Sequence, residues 1–363
     1  MIVRGVKRAV TSACIPAGLL LLSTTCQNPA AGNALSDLAC SIPSAFVADG
    51  GPGKDGIPAL TNPTFVAPDH PSLGYLRDQD RVIGVQVGTE YMAVPINILW
   101  WHEIVNLNRG TVRLAITHCP LTGSSLVFDR SSVDGVEFGV SGLLFMNNLM
   151  MYDRTTPSSL WPQMSRGARC GNRDGTPLPL FPSVEMAWVG WRSLHPTTTV
   201  VSGATGLPRD YAAYPYGDYD VESNPQLLSP VPRLDTRRAP KERVLGIVRG
   251  NASLALPFGA LRAMGDVAAV HVTVGGAPTV VFWDAARASA AAFDPVVNGT
   301  PVAFRITAGE IIDDRSGSRW SADGRALTGP LAGEQLSHSK DSFIAYWFAW
   351  AVFYPQTLLW STG

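Results

Sequence analysis

Charge is scarce in this chain. Of 363 residues, 16% are Asp, Glu, Lys or Arg, against an average of about 25%. The 28 basic and 29 acidic residues leave a net charge of -1, so there is no basic excess with which to hold nucleic acid. An apolar fraction of 46% excludes a disordered chain, which combines low hydrophobicity with high net charge. Beyond the N-terminus no apolar run approaches the roughly 18 residues of a membrane-spanning helix. Cysteines number five, and none forms a CxxC. HExxH, paired-cysteine zinc spacing, a Walker loop and a GxSxG elbow are also missing. The usual signatures of zinc fingers, P-loop nucleotide binders and serine hydrolases are therefore absent.

What is present points to short strands. The chain has 35 Gly and 28 Pro, and turns at that density favour strands over long helices. Arg4, Lys7 and Arg8 precede an apolar stretch from Ala13 to Leu22, and small residues follow up to Ala34. This is the secretory pattern, so residues 1–34 read as a signal peptide. A variant is a lipid anchor at Cys26. Removal of residues 1–34 leaves 25 basic against 29 acidic residues and three cysteines: Cys40, Cys119 and Cys170. An odd count in an oxidising compartment leaves at least one thiol outside an intrachain disulfide.

The chain reads as one unit of about 120 residues present twice. Arg81-Val82-Ile83-Gly84 recurs as Arg243-Val244-Leu245-Gly246, and Met92 to Pro95 as Leu254 to Pro257. Val127-Phe128 matches Val281-Phe282, and Asp153-Arg154 matches Asp314-Arg315. Trp161, Trp188, Trp191 and Pro196 match Trp320, Trp347, Trp350 and Pro355 at one offset. The expected organisation is an irregular lead-in at 35–74, copy one at 75–202, a Tyr/Pro-rich connector at 203–240 and copy two at 241–363. The fold class is mostly β with short helices, as two pseudo-symmetric lobes. One helix is expected after Pro95, with Ile98, Trp101 and Val105 on its buried face and Leu99, His102 and Asn106 on another. A second is expected from Trp188 to Leu194. Tyr211, Tyr214, Tyr216 and Tyr219 make the connector too aromatic for a free linker, so it should wrap over the copies.

Residues shared by both copies read as scaffold, and residues unique to one copy as candidates for function. Copy one alone holds His102-Glu103, His118-Cys119 and Cys170. Copy two has Met264-Gly265 in place of the first pair and Val272 to Ala277 in place of His118 to Gly123. A thiolate beside an imidazole is an activated nucleophile, so Cys119, His102 and Glu103 are catalytic candidates. Cys and His also ligate copper or zinc, so His102, His118, Cys119 and Cys170 are metal candidates. Alternatively Cys119 is in a disulfide or inertly buried. Met146, Met150, Met151 and Met164 add thioethers or fill core. His195, matched by Tyr354, reads as structural.

The segments LWWHEIVN (99–106), THCPLTG (117–123), FGVSGLLFMNNLMMYDRTTPSSLW (138–161), KERVLG (241–246) and YWFAWAVFYPQT (346–357) resemble a prokaryotic family known as domain of unknown function 3179. The resemblance covers nearly all of residues 75–363 and implies an extracytoplasmic location. The family's HE-I-V-N segment falls on His102, Glu103 and Asn106. Its CPLC segment falls on Cys119, with Thr122 in place of the second cysteine. Three functions remain open. One is a secreted or envelope-attached module binding a small molecule or soft metal at copy one. Another is a thiol enzyme using Cys119 with His102. The third is a structural or interaction protein with the exposed Tyr connector as its contact surface. His102 and Cys119 are expected to share one pocket, with Cys119 exposed by the turn at Pro120 and Gly123.

Overall fold

The computed structural model describes residues 38–362. The signal-peptide segment 1–34 and Cys26 lie outside the described residues. Strands hold 40% of the chain and helices 12%, so the fold is mostly β. Among the described residues no helix is long and apolar enough to cross a membrane.

Leaving aside the short strands Val296–Val297, Thr300–Pro301 and Ala326–Thr328, two series of elements follow each other in one order. The first is β1 (Arg81–Val87), β2 (Glu90–Pro95), α1 (Ile96–His102), β3 (Ile104–Arg109), β4 (Val112–Cys119), β5 (Ser124–Asp129), β6 (Phe138–Phe145), β7 (Asn148–Asp153), β8 (Leu160–Pro162), β9 (Val184–Ala187), α2 (Trp188–Leu194) and β10 (Thr199–Val201). The second is β11 (Arg243–Arg249), β12 (Ala252–Pro257), α3 (Phe258–Ala263), β13 (Val267–Val274), β14 (Ala277–Asp284), β15 (Ser289–Phe293), β16 (Phe304–Thr307), β17 (Glu310–Asp313), β18 (Arg319–Trp320), β19 (Ser342–Tyr346), α4 (Trp347–Phe353) and β20 (Leu358–Leu359). Pro95 and Pro257 end their hairpins and cap the helices that follow, both in extended conformation. Proline suits such a place because its fixed φ fits the entry to a helix.

The pairing repeats as well as the order. In the first half β9 and β2 flank β1 antiparallel, and β10 runs parallel to β2. In the second half β19 and β12 flank β11 in the same way, and β20 runs parallel to β12. Trp191 and Trp350 each donate an indole N–H to a threonine, Thr198 and Thr357, at 2.9 Å. Trp161 and Trp320 donate to Asp153 and Asp313 at 3.0 Å. Asp313, not Asp314, is therefore the partner of Asp153. Val127-Phe128 lies on β5 but Val281-Phe282 on β14, the counterpart of β4, so that sequence match is not a match of place. By the same order Val272 to Ala277 spans the first turn of its meander, whereas His118 to Gly123 spans the second.

The halves are crossed. Strand β5 pairs with β19, so the first meander β3–β4–β5 joins the second hairpin sheet. Strand β15 lies against β9 of the first hairpin sheet. The largest core mixes Ala115, Phe138 and Trp161 with Val244, Trp347 and Trp350, so neither half buries its apolar surface alone.

Two expectations are corrected. The first helix ends at His102, because Glu103 has φ 56° and breaks the helical run. Val105 and Asn106 therefore lie on β3, and neither expected helical face exists. The lead-in, expected to be irregular, holds three short strands: Val47–Asp49 pairs with β6, Leu60–Thr61 with β3 and Phe65–Val66 with β10. The connector has no regular element, yet Tyr211 and Tyr219 are buried and Tyr214 and Tyr216 half-buried. Its tyrosines face inward, so they cannot form the exposed contact surface.

Candidate functional site

The cysteines resolve first. Cys40 and Cys170 form a disulfide, and Cys119 is a free, buried thiol. Cys170 is thereby removed as a metal ligand, since a disulfide sulfur carries no thiolate. The bond joins the lead-in to the loop after β8 and points to an oxidising compartment.

Cys119 ends β4 and is fully buried, so the following turn does not expose it. Its sulfur accepts the Leu149 N–H at 3.3 Å and donates to the Asn147 carbonyl at 3.7 Å. Burial pushes the thiol up to about 11, and the Glu103 charge adds to the rise. Bonds from Thr122 and Leu149 oppose it. A thiol in that state is a poor nucleophile, because the thiolate is the reactive form.

Glu103 lies near enough to Cys119 for its charge to act on the thiol. The residue is buried, with 5% exposed, and its carboxyl makes no side-chain hydrogen bond among the described residues. Burial alone pushes it up to about 8, so it is an uncharged acid at neutral pH. Its backbone is in the left-handed region, which is costly for a residue with a side chain. At the matching place after α3 stands Gly265, with φ 125°, where glycine adopts positive φ freely. The first half thus keeps a strained glutamate where the second uses glycine.

The connector packs over this region. The Tyr219 hydroxyl donates to the Leu121 carbonyl at 3.0 Å, and the Lys241 ammonium sits 3.6 Å above the Tyr219 ring. Burial raises Tyr216, with further rises from Glu103 and Cys119; burial and then Cys119 raise Tyr219. Asn147 ties the connector down through two bonds to the Ser229 backbone, both 2.8 Å. Nearby, Gln163 bridges Thr117 (2.8 Å), Ser124 (2.6 Å) and Asn148 (2.9 Å) in a buried polar net. Asn147 and Gln163 carry no motif that would have revealed them in the sequence; the connector tyrosines stood out by composition.

The two histidines lie elsewhere. His102 Nδ1 is 2.7 Å from the Pro58 carbonyl, so it donates there, and Nε2 then accepts from the Tyr211 hydroxyl at 2.7 Å. Both ring nitrogens are engaged, so His102 makes no direct hydrogen bond to Cys119 and cannot take its proton. Burial lowers its pKa, and Arg209 lowers it further against the Pro58 bond. His118 Nδ1 is 3.0 Å from the Ser125 hydroxyl. Burial pushes it down to about 3, helped by Arg81 and Arg243. Those arginines both hold Glu185, at 2.6 Å for Arg81. Burial works to raise Glu185, but the two guanidiniums bring it down to about 2. Met150, Met151 and Met164 are buried core. Among the described residues no group of three or more His, Cys, Asp or Glu is placed to hold a metal ion. His102, His118, Cys119 and Cys170 therefore do not converge as a copper or zinc centre. His195 is structural as expected: Nε2 bonds Asp323 at 2.8 Å and the ring stacks 3.9 Å from Tyr91.

The sequence model of the family described as "Protein of unknown function (DUF3179)" matches residues 54–357. No curated protein and no solved structure matches the chain.

Proposed function

The chain belongs to the DUF3179 family, and from that premise we propose an extracytoplasmic binding module whose site is the buried Glu103–Cys119 pair. The carrying observation is the Glu103 carboxyl. Burial pushes it up to about 8, which disfavours its charged form. Glu103 also occupies a strained backbone place for which the other half uses glycine. Thiol and acid are both neutral where they are buried, and each becomes an anionic donor once a cation displaces its proton. The ligand is therefore a small cationic species held by thiolate and carboxylate together. Periplasmic or secreted placement follows from the disulfide taken with the N-terminal secretory pattern. The halves descend from one duplicated unit; the shared element order, pairing and tryptophan bonds support this reading.

The test is native mass spectrometry on protein purified from an oxidising compartment. The proposal expects a stoichiometric added mass in wild type that is lost in both Glu103→Gln and Cys119→Ser. Wild type without added mass contradicts it and leaves the pair as structure.

A further inference from the structure

A cleft of about 370 Å³ opens between the halves, lined by neither Cys119 nor Glu103. Gly84, Tyr91 and Trp191 of the first half form one side. The loop carrying His338 and Lys340 of the second half faces them. Phe181 completes an aromatic lining.

The deeper polar groups are already satisfied. Asp323 accepts from His195 and from Ser321, and the Tyr91 hydroxyl accepts from Arg325 at 2.9 Å. Lys340 and His338 are different. Among the described residues neither makes a side-chain hydrogen bond or ion pair, although His338 is half-buried against Phe293, with ring centres 4.8 Å apart. Lys340 is the one ammonium lining the cleft, and Asp323, the one carboxylate there, is already engaged by His195 and Ser321.

The matching place in the second half shows what closes such a cleft. Gly246 lies under Trp350 as Gly84 lies under Trp191. There Phe343 pairs with Gly246, where Val184 pairs with Gly84. The Phe343 ring packs 5.1 Å from Trp350, and Tyr354 packs 4.3 Å from it on the side His195 takes. Leu180 bridges Phe128 as His338 bridges Phe293. One place is thus filled by Phe343 and Leu180. The other is opened by Val184 and given imidazole and ammonium.

We propose that this cleft binds a small organic carboxylate with a ring body. The carboxylate meets Lys340 and the His338 ring N–H, and the ring lies against Tyr91 and Phe181. A mostly apolar concavity with a few unsatisfied polar groups is the usual form of a small-molecule site, and a charge-assisted contact fixes the anionic end. The inference uses neither Glu103 nor Cys119, so its failure and that of the binding-module reading are separately visible.

Saturation-transfer NMR with benzoate and with uncharged benzamide tests it. Wild type should transfer saturation to the benzoate ring. Benzamide and Lys340→Met should each weaken binding about tenfold, the scale of one lost charge-assisted bond. Val184→Phe, which brings in the side chain of the matching place, should abolish it. Absence of transfer in wild type, equal binding of benzamide, or full binding by Lys340→Met, a surface change that leaves the fold intact, overturns the proposal.

Discussion

Trp191 lies directly on Gly84: a β-carbon at Gly84 would fall 2.2 Å from the indole Cζ3. Gly246 and Trp350 repeat the contact, at 2.0 Å. In both places the indole N–H is held by a threonine, so the ring cannot swing away without losing a buried bond. Gly84→Ala and Gly246→Ala should each destabilise by about 1–3 kcal/mol, the range of core overpacking. Urea unfolding measures this. Wild-type stability in either variant would mean the ring yields freely.

The disulfide closes a long loop, with a sequence separation of 130. Cross-links of that span restrict the unfolded chain most, and typical effects are about 2–4 kcal/mol. Cys40→Ser should lose stability on that scale, while Cys119→Ser should leave the disulfide intact by mass. A mixed disulfide to Cys119 in wild type would contradict the pairing.

Stability should depend on pH through Glu103. Its ordinary value is 4.5 and its folded value about 8. Below both, the group is protonated in either state. Between them the unfolded chain releases the proton while the folded chain keeps it, so stability falls as pH rises, by at most about 1.4 kcal/mol per pH unit. Glu103→Gln should lack this loss and gain on wild type from about pH 5 to pH 8. His118 acts oppositely. Its folded value of about 3 lies below the ordinary 6.5, so stability is lost as pH falls between them. Denaturation midpoints across pH check both signs.

Cys119 should react slowly with iodoacetamide in the native protein, since it is buried and its thiol lies near 11. Tyr219→Phe removes the bond to Leu121 that holds the connector down, a loss of about 1 kcal/mol. Alkylation should then speed up several-fold. Rapid alkylation of wild type would show an accessible thiol and restore the thiol-enzyme reading.

Much of this architecture was legible in local pattern. The strand runs at Val82, Val112 and Leu126, the helix at Trp188 and the aromatic connector all carry short-range signals, and each lies where expected. The end of the first helix does not. Glu103 takes a positive φ with no glycine or asparagine to announce it, so Val105 and Asn106 read as helical. The crossed sheets depend on β5 meeting β19, a contact between residues more than two hundred positions apart. Three cysteines allow three pairings, and spacing does not choose among them. That the charge of Glu103, rather than the ring of His102, acts on Cys119 follows from that same unannounced backbone turn.

Infrared difference spectroscopy between wild type and Glu103→Gln at pH 7 tests most directly whether Glu103 is a buried, uncharged acid. The account predicts a protonated-carboxyl band in wild type that is missing in the variant and fades as the pH passes about 8. A carboxylate band assigned to Glu103 at pH 7, in the ligand-free protein, would contradict it.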